Sequence, residues 1–319
     1  MSKKPLTRDE QFLAKAAGDD VPMPKPLTRV QEFLERIVER LSGSVTDETL
    51  SNAIAPLNAS IAQLSRKTIQ FRHGKGTFTA TATGTNVVWQ YGGQKAQGSN
   101  CTFDVKSDNG LITLGCDSIN SFTAERNTAI KIDLSDLDGK ITNTLSLYFN
   151  PNITGDLSDL GGKITNMLSL GGCPNITGDL SDLGGKISNL LCLDGCTNIT
   201  GDLSGLISKN IRSLSLNNCS NITGDLSDLG GKVSNLLSLN GCTNITGVYS
   251  GAKYPKTFAV SKTAITSADM DANLINFAAS GVKSGKFTAN GMKRTAASDD
   301  AVATLVTNGW TVSGLTKES

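Results

Sequence analysis

Four copies of one 23-residue phrase constrain this chain more than any other feature. ITGDLSDLGGKITNMLSLGGCPN begins at Ile153, ITGDLSDLGGKISNLLCLDGCTN at Ile176, ITGDLSGLISKNIRSLSLNNCSN at Ile199 and ITGDLSDLGGKVSNLLSLNGCTN at Ile222. A degenerate copy, IKIDLSDLDGKITNTLSLYFNPN, starts at Ile130, and a truncated one, ITGVYSG, follows from Ile245. A constant period in the twenties means that no unit closes a core alone. Each must bury its apolar face against its neighbours, which is the condition of a solenoid.

Within each unit the pattern is L-x-L-x-x-C, as in Leu168, Leu170 and Cys173 or Leu237, Leu239 and Cys242. Alternating leucines predict a short strand with both side chains inward. The position three residues later must turn the chain and satisfy backbone groups inside the bend. Cys173, Cys196, Cys219 and Cys242 occupy it, and the degenerate copy has Asn150 there. Seven cysteines cannot pair completely within one chain. Sulfurs one strand apart lie about 4.8 Å from each other, too far for a disulfide, so these cysteines read as small buried hydrophobes. Charges form columns as well: Asp156, Asp179, Asp202 and Asp225; Asp159, Asp182 and Asp228; and Lys163, Lys186, Lys209 and Lys232. Like charges stacked at this spacing repel, and alternation with lysine on a solvated face offsets that. Calcium binding by the aspartates is the sharper reading of the same columns.

These residues resemble the leucine-rich repeat family, whose consensus allows Asn or Cys at the turn. N-I-T-G-D-L followed by L-G-G further resembles its plant-type subclass. The resemblance implies an α+β fold: a leucine-rich-repeat solenoid with an N-terminal β domain or cap, a C-terminal α/β cap and helical N-terminal anchor segments. One departure affects the start of the strand. The family's leucine eight residues before the turn is Thr165, Ser188 or Ser234 here; only Ile211 fits, and Ile164, Ile187 and Val233 stand one residue earlier.

Composition removes several functional classes. The chain has 319 residues, 30 Lys+Arg against 29 Asp+Glu and one histidine, His73. Balanced charge gives no field for nucleic acid. One histidine excludes multi-histidine metal sites. No nucleophile–base pair or phosphate-binding glycine loop is present, and DLGGK fails the P-loop spacing. The chain therefore reads as a non-enzyme without cofactor or metal. Its charged start and lack of a long apolar run predict no membrane insertion and no conventional export. A solenoid offers a surface instead. The outward strand positions most suited to hydrogen-bond a ligand are Ser146, Tyr148, Ser169, Cys192, Asp194, Ser215, Asn217, Ser238 and Asn240. The competing reading makes the repeats a spacer, with specificity in caps or loops.

The flanks differ in kind. KPLTRDEQFLAKAA from Lys4 returns as KPLTRVQEFLERIV from Lys25, each with a capping box (Thr7 with Glu10, Thr28 with Gln31). Leu6, Phe12 and Leu13, then Leu27, Phe33 and Leu34, present the same apolar anchor twice, so residues 1–45 read as a docking segment. In residues 46–66, Leu50, Ile54, Leu57, Ile61 and Leu64 form a short a/d seam interrupted by Pro56. It is either a helix packed on its own chain or an oligomerising stalk. Residues 67–129 alternate as strands and predict a small β domain or N-terminal cap, with His73 in a hairpin turn. The repeats occupy 130–252. Residues 253–319 predict a second cap with two helices N-capped by Ser267 and Ser298, closed by Phe287, Trp310 and Val312.

A second resemblance covers these flanks. The duplicated PLTR-x-x-x-FL segment with VPMPKP is similar to N-terminal segments of bacteriophage virion proteins (head fibres and tail appendages). The ending GVKSGKFTANGMKRTAASDDAVATLVTNGWTVSG resembles leucine-rich-repeat proteins of gut Bacteroidetes and their phages. This implies a virion appendage assembled in the host cytoplasm. Its N-terminus would dock on a phage structural protein, and its repeat face or caps would bind a host surface protein or glycan. A bacterial leucine-rich-repeat adhesion protein without a virion role is the alternative, and a polysaccharide-degrading tail enzyme a third class.

Overall fold

In the computed structural model the described residues are 67–137, 139–206 and 210–318. The chain divides into two units, 1–66 and 67–319. The first lies outside the described residues. So do the docking positions Leu6, Phe12, Leu13, Leu27, Phe33 and Leu34 and the seam Leu50, Ile54, Leu57, Ile61 and Leu64.

Residues 67–318 are α+β and rich in strand. The N-terminal part has two layers. β1 (Lys67–His73), β3 (Val88–Tyr91), β4 (Gln94–Gln97), β6 (Gly110–Cys116) and β8 (Ile130–Lys131) form one sheet in the order β4-β3-β6-β1-β8. β2 (Gly76–Thr85), β5 (Asn100–Val105) and β7 (Ser118–Thr123) belong to another. Strict alternation sets the faces: Phe78, Ala80 and Ala82 are buried while the threonines between them are exposed. The aromatic residues cluster in the core, with Phe71 5.4 Å from Phe78 and 5.8 Å from Phe122, and Phe78 6.1 Å from Trp89. His73 ends β1 rather than sitting in a hairpin turn. β1 and β2 join different sheets, so the chain turns a corner here and His73 is buried against Phe78.

Each 23-residue copy then contributes one strand to each of two parallel sheets, joined by a 3₁₀ turn. β10 (Thr154–Asp156), β12 (Asn175–Asp179), β14 (Ile199–Asp202), β16 (Ile222–Asp225) and β18 (Asn244–Thr246) make a five-stranded sheet in sequence order. β9 (Ile141–Ser146), β11 (Met167–Ser169), β13 (Leu190–Cys192), β15 (Ile211–Ser215) and β17 (Val233–Ser238) run through the middle of an eleven-stranded sheet. Leu145, Leu168, Leu191, Leu214 and Leu237 pair in register down this sheet, and all are buried. The strand start is displaced as its residues predict. Ile211 pairs with Val233, and the register shifts before Ser213.

The parallel pairing continues beyond the repeats at both ends. On one side Phe122 of β7 pairs with Leu145. On the other, Phe258 of β19 (Thr257–Ala259), Phe287 of β20 (Lys286–Arg294) and Val312 of β21 (Thr311–Lys317) extend the leucine row. Helices α1 (Ser267–Ala279) and α2 (Asp299–Thr307) connect these last strands. Phe258, Phe277, Phe287 and Trp310 pack there, with ring centroids 4.7 Å apart for Phe258–Phe277 and 5.6 Å for Phe277–Trp310. The N-cap of α1 is Thr266, not Ser267: the Thr266 hydroxyl accepts from the Asp269 amide at 3.1 Å. Ser298 precedes α2 but makes no side-chain cap, because its hydroxyl donates to the buried Asp271 carboxylate instead.

Candidate binding surface

The turn position explains why Cys and Asn exchange. The thiols of Cys173, Cys196, Cys219 and Cys242 donate to the carbonyls of Leu147, Leu170, Leu193 and Leu216 at 2.9–3.2 Å. Each of those leucines belongs to the preceding unit. Asn150 does the same with its amide, bonding Ala124 O and Leu147 O. A small donor aimed back one turn is what the bend requires. Burial pushes the Cys173 and Cys242 thiols up to about 11 and Cys219 to about 12. A thiol so raised holds almost no thiolate near neutrality. None of the seven cysteines is in a disulfide, and all are buried. Native protein at pH 8 is therefore expected to give almost no reaction with a thiol-disulfide reagent, and seven thiols per chain in denaturant. Fast reaction of four thiols in the native state would contradict the buried column.

The aspartate columns are caps. Asp156, Asp179 and Asp225 are N-caps of the 3₁₀ turns starting at Leu157, Leu180 and Leu226, with Asp159, Asp182 and Asp228 completing capping boxes. The other oxygen of the cap accepts from a threonine one unit on: Thr177 to Asp156 at 2.9 Å and Thr223 to Asp202 at 3.0 Å. Among the described residues no group of three or more His, Cys, Asp or Glu side chains converges as metal ligands would.

These hydrogen bonds make a pH prediction. Asp133, Asp156 and Asp202 lie below the ordinary 3.8, chiefly through the Ser135 hydroxyl, the Ser158 hydroxyl and the Ser204 amide respectively. A carboxyl lowered in the folded state stabilises fully above its unfolded pKa, and loses that contribution as pH falls through the folded value. The melting temperature is expected to hold from pH 7 to 5 and to decline below about pH 4. A melting temperature unchanged down to pH 2 would show that these bonds do not favour the ionised form.

The strand face departs from the sequence reading. Ser146, Ser169, Cys192, Ser215 and Ser238 are buried rather than open to a ligand. The lateral spacing of strands packs each between its neighbours, and hydroxyls that could face solvent bond sideways. Ser215 Oγ donates to Asp194 at 2.8 Å and Ser238 Oγ to Asn217 at 2.7 Å, and Ser146 Oγ donates to Glu125. Tyr148, Asp194, Asn217 and Asn240 are partly exposed. They too are tied into a directed ladder. Asp194 Oδ1 accepts from the Asn217 amide at 2.7 Å, Asn217 Oδ1 from the Asn240 amide at 3.0 Å, and Asn240 Oδ1 from the Ser261 amide at 2.9 Å. Most acceptors on this row are spent on neighbouring turns, so the row is chiefly a brace.

What remains free lies at the turn edge after the strands. There the structure brings together Tyr148, Phe149, Glu125 and Arg126. Arg126 lies over both rings, 5.9 Å from the centroid of Tyr148 and 5.4 Å from that of Phe149. A polar groove of about 350 Å³ also begins at Glu125 and Arg126, with Lys75, Thr77, Thr79 and Thr128 on its walls and His73 at its inner end. That volume is at the lower end of the ~300–1,000 Å³ range of ligand pockets. His73 is held by Asn127 Oδ1, 2.8 Å from its Nε2. Of Tyr148, Phe149, Glu125 and Arg126, only Tyr148 stands among the residues singled out from sequence. The missed signal is Tyr148-Phe149 itself, which replaces Gly-Gly, Asp-Gly, Asn-Asn and Asn-Gly in the aligned copies.

No family model, curated protein or solved structure matches this chain.

Proposed function

We propose that this chain is a leucine-rich-repeat solenoid that serves, without catalysis, as a bacteriophage virion appendage. In this reading residues 1–45 dock it to a phage structural protein, and its repeat edge and caps contact a host surface protein or glycan. One observation carries the solenoid: the leucine row in parallel register, with a back-bonding Cys or Asn at each turn. From β7 to β21 nine neighbouring strands pair in parallel within one sheet. Such a stack is a rigid display surface whose contacts are nearest-neighbour. The virion assignment rests on the duplicated PLTR segment and the closing GVKSGKFTANGMKRTAASDDAVATLVTNGW phrase. A cytoplasmically assembled particle also suits seven cysteines held in no disulfide.

The test compares particles carrying the full chain with particles assembled with residues 1–45 deleted. Loss of the protein from the deleted particles is expected. Full occupancy without those residues would contradict the docking role. Absence of the protein from purified wild-type particles would leave the bacterial adhesion reading in its place.

A further inference from the structure

The residue just before each turn position has a left-handed backbone: φ is 79° at Gly172, 73° at Gly195, 60° at Asn218 and 77° at Gly241. Glycine and asparagine accept that conformation at little cost. Phe149, at 59°, and Arg126 one turn earlier, at 54°, do not. Bulky residues held there are strained. Two successive turns thus keep large side chains where the repeat elsewhere uses Gly or Asn.

The strain builds a small platform. Phe149 is 50% exposed, and its ring meets Tyr148 edge-on at 4.6 Å. The next unit makes room for both. A Cβ on Gly171 would come 2.9 Å from the Tyr148 ring, and one on Gly172 3.2 Å from Phe149. Burial first, then Cys192, Asp194 and Glu125, push the Tyr148 phenol above its ordinary value, while Arg126 opposes them. A guanidinium and two carboxylates therefore surround two adjacent rings.

We propose that this turn edge is a subsite for a neutral sugar ring. It deepens the host-contact reading above and rests on it. The half-exposed Phe149 ring supplies a face for the C–H side of a pyranose, with Tyr148 set perpendicular beside it. Arg126 donates to the sugar's hydroxyl oxygens, and Glu125 accepts from its hydroxyl protons. Charge decides against other occupants. Two carboxylates oppose a phosphodiester or a sulfated chain, and a single half-exposed ring is too small to seat an amphipathic helix. Groups that donate and groups that accept, set around an exposed aromatic ring, match a ligand whose hydroxyls do both. The adjoining groove gives neighbouring residues of a chain somewhere to lie.

The test uses the full-length chain on an array of neutral bacterial-surface and mucin-type glycans, and on whole cells of gut Bacteroidetes strains. Wild type is expected to bind neutral glycans. Phe149→Gly is expected to lose at least about tenfold in affinity while its melting temperature rises by about 2–4 °C as the strain is relieved. Absence of binding to every glycan would overturn the subsite, as would unchanged binding by Phe149→Gly. A lowered melting temperature with binding retained would assign Phe149 to packing alone. If wild type and Phe149→Gly bind cells equally, the subsite fails and host contact stands. If wild type binds no cells, the host-contact reading itself fails.

Discussion

Gly178→Ala is expected to destabilise the chain by about 3 kcal/mol or more, among the largest effects of any single change. Two costs coincide there. The backbone has φ +116°, a region L side chains rarely adopt, and a Cβ would lie 2.7 Å from the Leu157 amide nitrogen and 2.9 Å from Asp156 Oδ1. Asp156 caps the preceding 3₁₀ turn, so the new methyl can be accommodated only by moving a cap and a backbone together. Gly155 and Gly201 have the same arrangement against Leu134 and Leu180. The matched control is Gly195→Ala. Its φ is +73°, but nothing lies within 4 Å of the added carbon, so only the left-handed conformation is penalised, by about 1 kcal/mol. Denaturant melts of the two variants separate the contributions. Equal losses would show that the close approach at Gly178 is not a constraint.

Leu214→Ala is the second large effect, expected at about 2–5 kcal/mol. Leu214 is fully buried in the middle of the row, between Leu191 and Leu237. In a stack each unit contacts only its neighbours, so no distant element can collapse into the space left behind. The lost interface stabilisation falls on both sides of the cavity. The exposed Val306→Ala is expected to change stability by about 0.5 kcal/mol or less. A loss below about 1 kcal/mol for Leu214→Ala would mean that the row is not packed as its register implies.

The repeat makes much of this legible in the sequence. The two inward leucines, the displaced start at Ile211 and the equivalence of Asn150 with the cysteines all follow from period and residue type. Those are local signals written several times over. Phe287 and Val312 are legible as residues that close the C-terminal end, but their place with Phe258 in the leucine row is not, because the offsets there are 21, 29 and 25 residues and helices intervene. Aspartates in a column looked like surface charge because capping depends on the φ of one residue and the amide two or three positions on. The serines of the strand face misled for a related reason. Alternation tells which side of a sheet a residue occupies, but not whether a hydroxyl bonds sideways to the next turn. At Phe149 the sequence did carry a signal, a large residue in a column of Gly and Asn. Its meaning depends on the left-handed backbone and on Arg126 one turn earlier.

The most direct measurement is imaging of the native particle at a resolution that separates strands. The expected image is an appendage of this chain held to the particle through residues 1–45, with strands stacked about 4.8 Å apart in the repeats. Particles that contain no such appendage, or carry it with the repeats against the particle and the N-terminus free, would contradict it.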